Sequence, residues 1–325
     1  MSSLTNRGLG ERDGRAITDT REFRSRLLSS GLLVDGGAMG LYHRSSDFES
    51  IARSVEALVS RAGRDQRPRQ LFFSPVIGLA TLVGSGYASS FPNLMGTINS
   101  FDGDERALRE LRSRVDTGGH WVELTSPTEV ALCSASCHSL YPMLAHTTLS
   151  EVGSVFEVQA SCFRHEPSED PARMQSFRQH EFVYVGTPQG ALGFRDRWLE
   201  RGNTLLGELG LDVDTVPAND PFFGRGAQLI SRGQMEKDLK FEIVASISCA
   251  QPGAIASSNY HEDHFGITFG LSAANGQVAH TACIGFGLER ITLALLWKHG
   301  FDLAHWPVEV REKLGLLHGS FSGHV

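Results

Sequence analysis

The chain reads as an α+β protein, an antiparallel sheet flanked by helices. Extended stretches crowd the middle of its 325 residues, while helical-period stretches lie before, between and after them. The two kinds do not alternate strictly, as parallel βαβ units would. An apolar fraction of 41% with 21% charged residues belongs to a chain that folds around a core.

Taken in order, residues 1–20 are polar and without periodicity, and read as a mobile tail. Residues 21–325 read as one catalytic-sized domain, with a helical insertion near 190–240. From Asp47 to Ala62 the apolar set Ile51, Val55, Leu58, Val59 and Ala62 keeps helical spacing. Gln70 to Ile77 reads as a strand, Gly78 to Gly86 as a short helix closed by glycine, and Asp104 to Val115 as a charged helix. Extended segments follow at His120–Thr125, Gly153–Glu166 and Ser176–Thr187. Gly190 to Leu211 returns to helical period, and further strands fit Lys240–Ser248, Gly266–Leu271 and Val278–Ile284. Gly285 to Trp297 reads as a glycine turn opening a buried helix.

Thirty basic against 37 acidic residues give a net charge of −7, so no global positive field draws the chain to nucleic acid or anionic membrane. No apolar run reaches the roughly 18 to 20 residues that cross a bilayer, and no signal peptide opens the chain, which points to a cytoplasmic protein. Only Lys237, Lys240, Lys298 and Lys313 among the basic residues are lysines. The arginine-rich remainder suits phosphate and carboxylate binding, and genomic base composition explains it equally well. The five cysteines, Cys133, Cys137, Cys162, Cys249 and Cys283, are odd in number and scattered. They suit buried thiols or metal ligands better than a disulfide framework.

Two segments carry chemistry. In SerCysPheArgHisGluPro, Ser161–Pro167, a strand would present Arg164 and Glu166 on one face, before a loop to a second strand that begins near Ser176. An ordinary salt-bridged hairpin explains that pair as well. Near the C-terminus Gly285, Gly287 and Arg290 form a GxGxxR turn, whose glycines admit close approach to the backbone and whose arginine can reach a phosphate.

With a helix running to proline at Gly86–Pro92, these segments resemble, in order, the three motifs of the class II aminoacyl-tRNA synthetase catalytic core. The segments CysPheArgHisGluPro, AlaArgMetGlnSerPheArgGlnHisGlu, AsnTyrHisGluAspHisPheGly and HisThrAlaCysIleGlyPheGlyLeuGluArg most resemble the truncated seryl-tRNA synthetase homologues known as amino acid:[carrier protein] ligases. The resemblance implies an AMP-forming ligase that activates glycine or alanine with ATP and Mg²⁺, then transfers the aminoacyl group to the phosphopantetheine thiol of a carrier protein. It implies that Arg164 holds the α-phosphate, Glu166 the adenine end, Arg290 the γ-phosphate, and that Phe177 stacks on adenine. It also implies a catalytic zinc on Cys137, Glu181 and Cys283, with an open position for the substrate amine. Cys133 competes with Cys137 for the first ligand. Asn259, in a polar cluster with His261, Asp263 and His264, is expected to line the site. The stretch Ala250–Asn259 departs from the seryl pattern in lacking a carboxylate.

Neither a long helical arm nor a basic surface favours tRNA, so the acceptor is expected to be a carrier protein docking on Arg195, Arg197 and Arg201; a plain solvated helix face explains those arginines equally well. By analogy the segment Gly86–Pro92 is buried in a homodimer. A non-catalytic regulatory paralogue and a minimal seryl-type tRNA ligase are the alternatives.

Overall fold

The computed structural model describes residues 19–220, 223, 233, 235, 237–248 and 251–317. The expected mobile tail and Cys249 therefore fall outside the described residues, apart from residues 19 and 20, which cap and open the first helix.

The chain begins with α1 (Thr20–Ser29), a two-stranded ribbon β1 (Leu33–Asp35) and β2 (Tyr42–Arg44), and α2 (Ser46–Gly63). It continues through β3 (Arg69–Phe72), β4 (Val76–Gly78), α3 (Leu79–Gly84), α4 (Tyr87–Ser90), β5 (Thr97–Ser100), α5 (Glu105–Asp116), β6 (Ser126–Leu132) and α6 (Leu140–Met143). The hairpin β7 (Ser154–Phe163) and β8 (Ser176–Gly186) comes next, then α7 (Pro188–Gly207), β9 (Val213–Pro217), β10 (Lys240–Ala245) and β11 (Gly253–Tyr260). Last come α8 (His264–Phe269), β12 (His280–Gly287), α9 (Leu288–His299) and α10 (Val308–Leu314).

Seven strands form the main sheet in the order β3-β7-β8-β12-β11-β10-β9. All neighbours are antiparallel except the edge strand β3, which runs parallel to β7. A smaller sheet, β4-β6-β5, lies apart. The single strand expected over Gln70–Ile77 is thus two strands in two sheets. Pro75 lies between them, and its carbonyl accepts from the Cys133 amide. His120–Thr125 is not extended but contains a 3₁₀ turn at Val122–Leu124, and the strand there is β6. Gly266–Leu271 is also not a strand: α8 occupies it and ends on Gly270 in the left-handed region, φ 64°.

One face of the sheet is covered by α2, α7 and α9. Ser45 caps α2 by accepting from the Phe48 amide, and Phe48, Ile51, Val55, Leu58 and Val59 form its buried stripe. Thr187 caps α7, Pro188 opens it, and Phe194 and Trp198 point inward. The α7 helix and β9 are therefore built into the core layer, whereas most of residues 221–236 of the expected insertion lie outside the described residues. Phe182, Phe286 and Trp198, each 0% exposed, interlock here. Each such side chain contributes roughly 2 to 3 kcal/mol of burial. Gly63 lets the end of α2 press on the sheet, since a Cβ there would meet Phe182 Cε1 at 2.2 Å. Among the described residues, no helix is long and apolar enough to cross a membrane.

Candidate active site

The opposite face of the sheet carries the chemistry, and strand alternation places it there. Register pairs Cys283 with Val183 and Gly285 with Glu181, and pairs Asn259 with Cys283. Phe177, Gln179, Glu181, Cys283, Gly285, Ser257 and Asn259 therefore all point to one side. Gly285 makes room for its neighbour: a Cβ there would stand 3.1 Å from Glu181 Cγ.

Cys137 reaches this face from a 3₁₀ turn, Ser136–Ser139, that packs over β8. Cys137, Glu181 and Cys283, expected as metal ligands, do converge: Cys137 hydrogen-bonds to both others. Ser136 Oγ donates to Glu181 Oε1 at 2.6 Å, and the Ser136 amide donates to Gln179 Oε1 at 3.3 Å. Cys283 Sγ lies 3.5 Å from Asn259 Nδ2 and 3.6 Å from His261 Nε2. The hydrogen bond from Cys137, with help from His261 and Asn259, holds the Cys283 thiol well below its usual range, whereas Cys137 is pushed up. Burial, reinforced by the charge of Cys283, raises Glu181 to about 7. Among the described residues, no group of three or more His, Cys, Asp or Glu side chains is arranged to hold a metal ion. The three expected ligands are linked through Cys137, which bonds to Glu181 on one side and Cys283 on the other. Cys133, the competing candidate, bonds to Cys162 instead.

Arg164 and Glu166 are not on a strand. The β7 strand ends at Phe163, and the Glu166 amide turns back to the Arg164 carbonyl at 2.8 Å. Arg164 stacks over Phe177, its Cζ 5.3 Å from the ring centroid, and its buried Nε has no hydrogen-bond partner among the described residues. Glu166 stands 3.8 Å from Arg173. Arg290, in the first turn of α9, donates to the Ala172 carbonyl at 2.8 Å and the Ala254 carbonyl at 3.0 Å. Its pKa is lowered by burial first and then by the positive charges of Arg164 and Arg173. Arg164 and Arg290 therefore share one neighbourhood, and three guanidiniums gathered there favour a polyanion.

Several site residues escape a reading of the sequence. His138, buried in the 3₁₀ turn, has a pKa lowered to about 3 by burial, then by Arg164 and the other histidines, so it stays neutral. Tyr141 stacks on Phe265 at 3.8 Å, and its buried hydroxyl lies against Cys137. The contact of His261 with Cys283 is visible only once β11 and β12 are paired. The one local signal is the polar density of SerCysHisSerLeuTyrPro within an otherwise apolar turn.

Of the arginines expected to dock a carrier, Arg195 is not available. It is buried, bonded to Asp196 and the Asp238 carbonyl, and lies over Phe241. Arg201 is held in a fork by both oxygens of Asp65, at 2.7 and 2.8 Å. Arg197 is exposed.

The fold is the catalytic core of class II aminoacyl-tRNA synthetases. A crystal structure of Methanopyrus kandleri seryl-tRNA synthetase, in complex with Aquifex aeolicus tRNASec, superposes with a TM-score of 0.76 at 20% identity, covering 94% of this chain and 62% of that one. Pyrococcus horikoshii seryl-tRNA synthetase complexed with ATP gives a TM-score of 0.63 at 12% identity, covering 90% of this chain and 62% of that one. No family model matches. The amino acid–[acyl-carrier-protein] ligase 1 of Bradyrhizobium diazoefficiens is 42% identical over 291 residues, 89% of each chain, and ligase 2 of the same organism is 41% identical. A type-2 serine–tRNA ligase of Methanothermobacter thermautotrophicus is 28% identical over 56% of this chain and 37% of its own length. The chain belongs to the amino acid–[acyl-carrier-protein] ligase family, and is a ligase with a class II core.

Proposed function

We propose that the protein activates a small amino acid, glycine or alanine, with ATP and passes the aminoacyl group to the phosphopantetheine thiol of a carrier protein. The observation that carries this reading is the convergence, on one sheet face, of a guanidinium cluster and a thiol–carboxylate cluster, in a chain 42% identical to a ligase named for the acyl carrier protein. In the first step the amino-acid carboxylate attacks the α-phosphorus and pyrophosphate leaves. In the second the carrier thiol attacks the acyl carbon and AMP leaves. Arg164 and Arg290 hold the phosphates as fixed positive charges, which need no reorganisation as the charge shifts in the transition state. Mg²⁺ accompanies the triphosphate. Phe177 offers a ring beside Arg164 for adenine, Glu166 a carboxylate at the hairpin loop, and Asn259 an amide next to Cys283.

The donor chemistry of Cys137, Glu181 and Cys283, two thiols and a carboxylate brought together around Cys137, supports a zinc ion as part of this proposal. Such an ion would supply a Lewis-acid position for the substrate amine. His261 and Asn259, which already stabilise negative charge on Cys283, would orient that thiolate. Exposed Arg197 is the docking arginine left for an acidic carrier. Exposed Val83 on α3, Met143 on α6 and Ile267 on α8 support a homodimer through this side of the molecule, and the setting is taken to be cytoplasmic.

The test is pyrophosphate exchange with a panel of amino acids, then transfer to phosphopantetheinylated carrier proteins and to tRNA in parallel. Exchange with glycine or alanine and transfer to a carrier is the expected result. Charging of tRNA in place of the carrier, or amino-acid binding without exchange, would replace the proposal by one of its alternatives. Metal analysis of the purified protein checks the zinc, with about one ion per chain expected.

A further inference from the structure

Two buried donors near the guanidinium cluster have no hydrogen-bond acceptor among the described residues. One is Arg164 Nε and the other is the hydroxyl of Tyr87, on α4. Tyr87 is 7% exposed and packs in one cluster with Ala160 and Cys162, against which Phe177 also lies. These are the site-facing residues of β7 and β8, and Phe177 is the ring over which Arg164 stacks. The Tyr87 ring stands edge-on to neutral His138, with centroids 5.7 Å apart, and tilts against Phe91 at 5.0 Å. Gly86, with φ 76°, turns the chain into α4, and Ser85 Oγ accepts from the Tyr87 amide, so the ring is pinned from its backbone outward. A buried hydroxyl without a partner is costly, and such groups persist where a ligand completes them.

We propose that the Tyr87 hydroxyl is a substrate-binding donor, taking an anionic oxygen of the reacting pair, either a phosphate oxygen of ATP or a carboxylate oxygen of the amino acid. The inference rests on the activation chemistry proposed above and adds a residue to it. The charge of Arg164 reaches the phenol, so the same pocket that repels a cation welcomes an anion. Burial raises the phenol's pKa, which keeps the proton on the oxygen and the group a donor.

The experiment is Tyr87→Phe, which removes the oxygen and keeps the ring. Thermal melts of the free protein and pyrophosphate exchange with glycine, alanine and ATP are measured for both proteins. The melting temperature is expected to hold or rise, because no protein partner is lost, while kcat/KM falls roughly ten-fold or more. A rise in the KM for ATP assigns the oxygen to the nucleotide, and a rise in the KM for the amino acid assigns it to the carboxylate. A fall in kcat alone assigns it to the transition state. A kcat/KM within two-fold of wild type for both substrates overturns the proposal, as does a lower melting temperature, which would mean that the hydroxyl has a protein partner. Silence of the wild-type protein in exchange counts against the activation chemistry instead. The inference is then read from thermal-shift titrations with ATP and with each amino acid, where equal affinities of the two proteins overturn it.

Discussion

On the helix-covered face of the main sheet, buried charges meet their opposites. Arg178 donates to Glu289 through Nε at 2.7 Å and to Glu49 through both terminal nitrogens at 2.8 and 3.0 Å, and Arg44 bridges the same two glutamates. Glu157 takes bonds from His180, Ser60 and Gln70. On the other face Arg164 and Arg290 have like-charged neighbours, the Tyr87 hydroxyl has no partner among the described residues, and two thiols and a carboxylate crowd together. Both faces come from the same strands: Arg178 and His180 of β8 point one way, Phe177, Gln179 and Glu181 the other. One surface is finished and holds the fold; its reverse is unfinished and awaits substrate, which is where a stable scaffold can keep groups that cost stability.

The sharpest way to break this contrast is Glu289→Ala, which takes the buried carboxylate shared by Arg178 and Arg44 and leaves both arginines to Glu49 alone. A loss of about 3 to 5 kcal/mol in urea unfolding is expected, with the KM values of the surviving enzyme unchanged. A change in KM at full stability would mean that the two faces are not separate. Arg290→Ala on the other face should act the opposite way. It should cut exchange by roughly 10² to 10³-fold, as removal of a fixed charge from a reacting centre does, while the melt moves far less. Gly285→Ala probes the space beneath Glu181, since its Cβ must push that carboxylate by a few tenths of an ångström. Exchange should fall by about ten-fold, and circular dichroism should report an unchanged fold.

The smallest effect is in acid. Burial opposes ionisation of Glu157, yet its hydrogen bonds from His180, Ser60 and Gln70 win and lower its pKa from 4.5 to about 2. Its contribution to stability is therefore complete above pH 4.5 and drains away as pH falls from there towards 2. In Glu157→Gln that part of the acid slope should disappear from melts recorded across the window. An unchanged slope would show that the carboxylate is not held by these bonds.

Much of this was legible in residue order alone. The hairpin at Ser161–Thr187, the buried helix after Gly285 and the amphipathic α2 follow from local periodicity and glycine placement, and all three are present. Glu181 shares its face with Gln179 because alternation along a strand is a local property. Less was legible where local pattern and partner disagree. GlyAlaIleAlaSerSerAsnTyr is too small and polar to announce a strand, yet it becomes β11 because β10 and β12 pair on either side of it. Gly266–Leu271 has strand-like composition and forms α8 instead, packing Phe265 on Tyr141. Arg195 reads as a surface charge until β10 brings Phe241 beneath it.

By itself, the order of residues determined the family segments and the α+β character, because these depend on residue type and short-range repeat. Tertiary structure alone decided which cysteine joins Glu181, that His261 sits against Cys283, which arginines are spent on ion pairs, and that Tyr87 has no acceptor among the described residues. Those outcomes depend on distances between strands and turns up to about 150 positions apart, such as Cys137 and Cys283, and such distances are set only when the sheet closes in register.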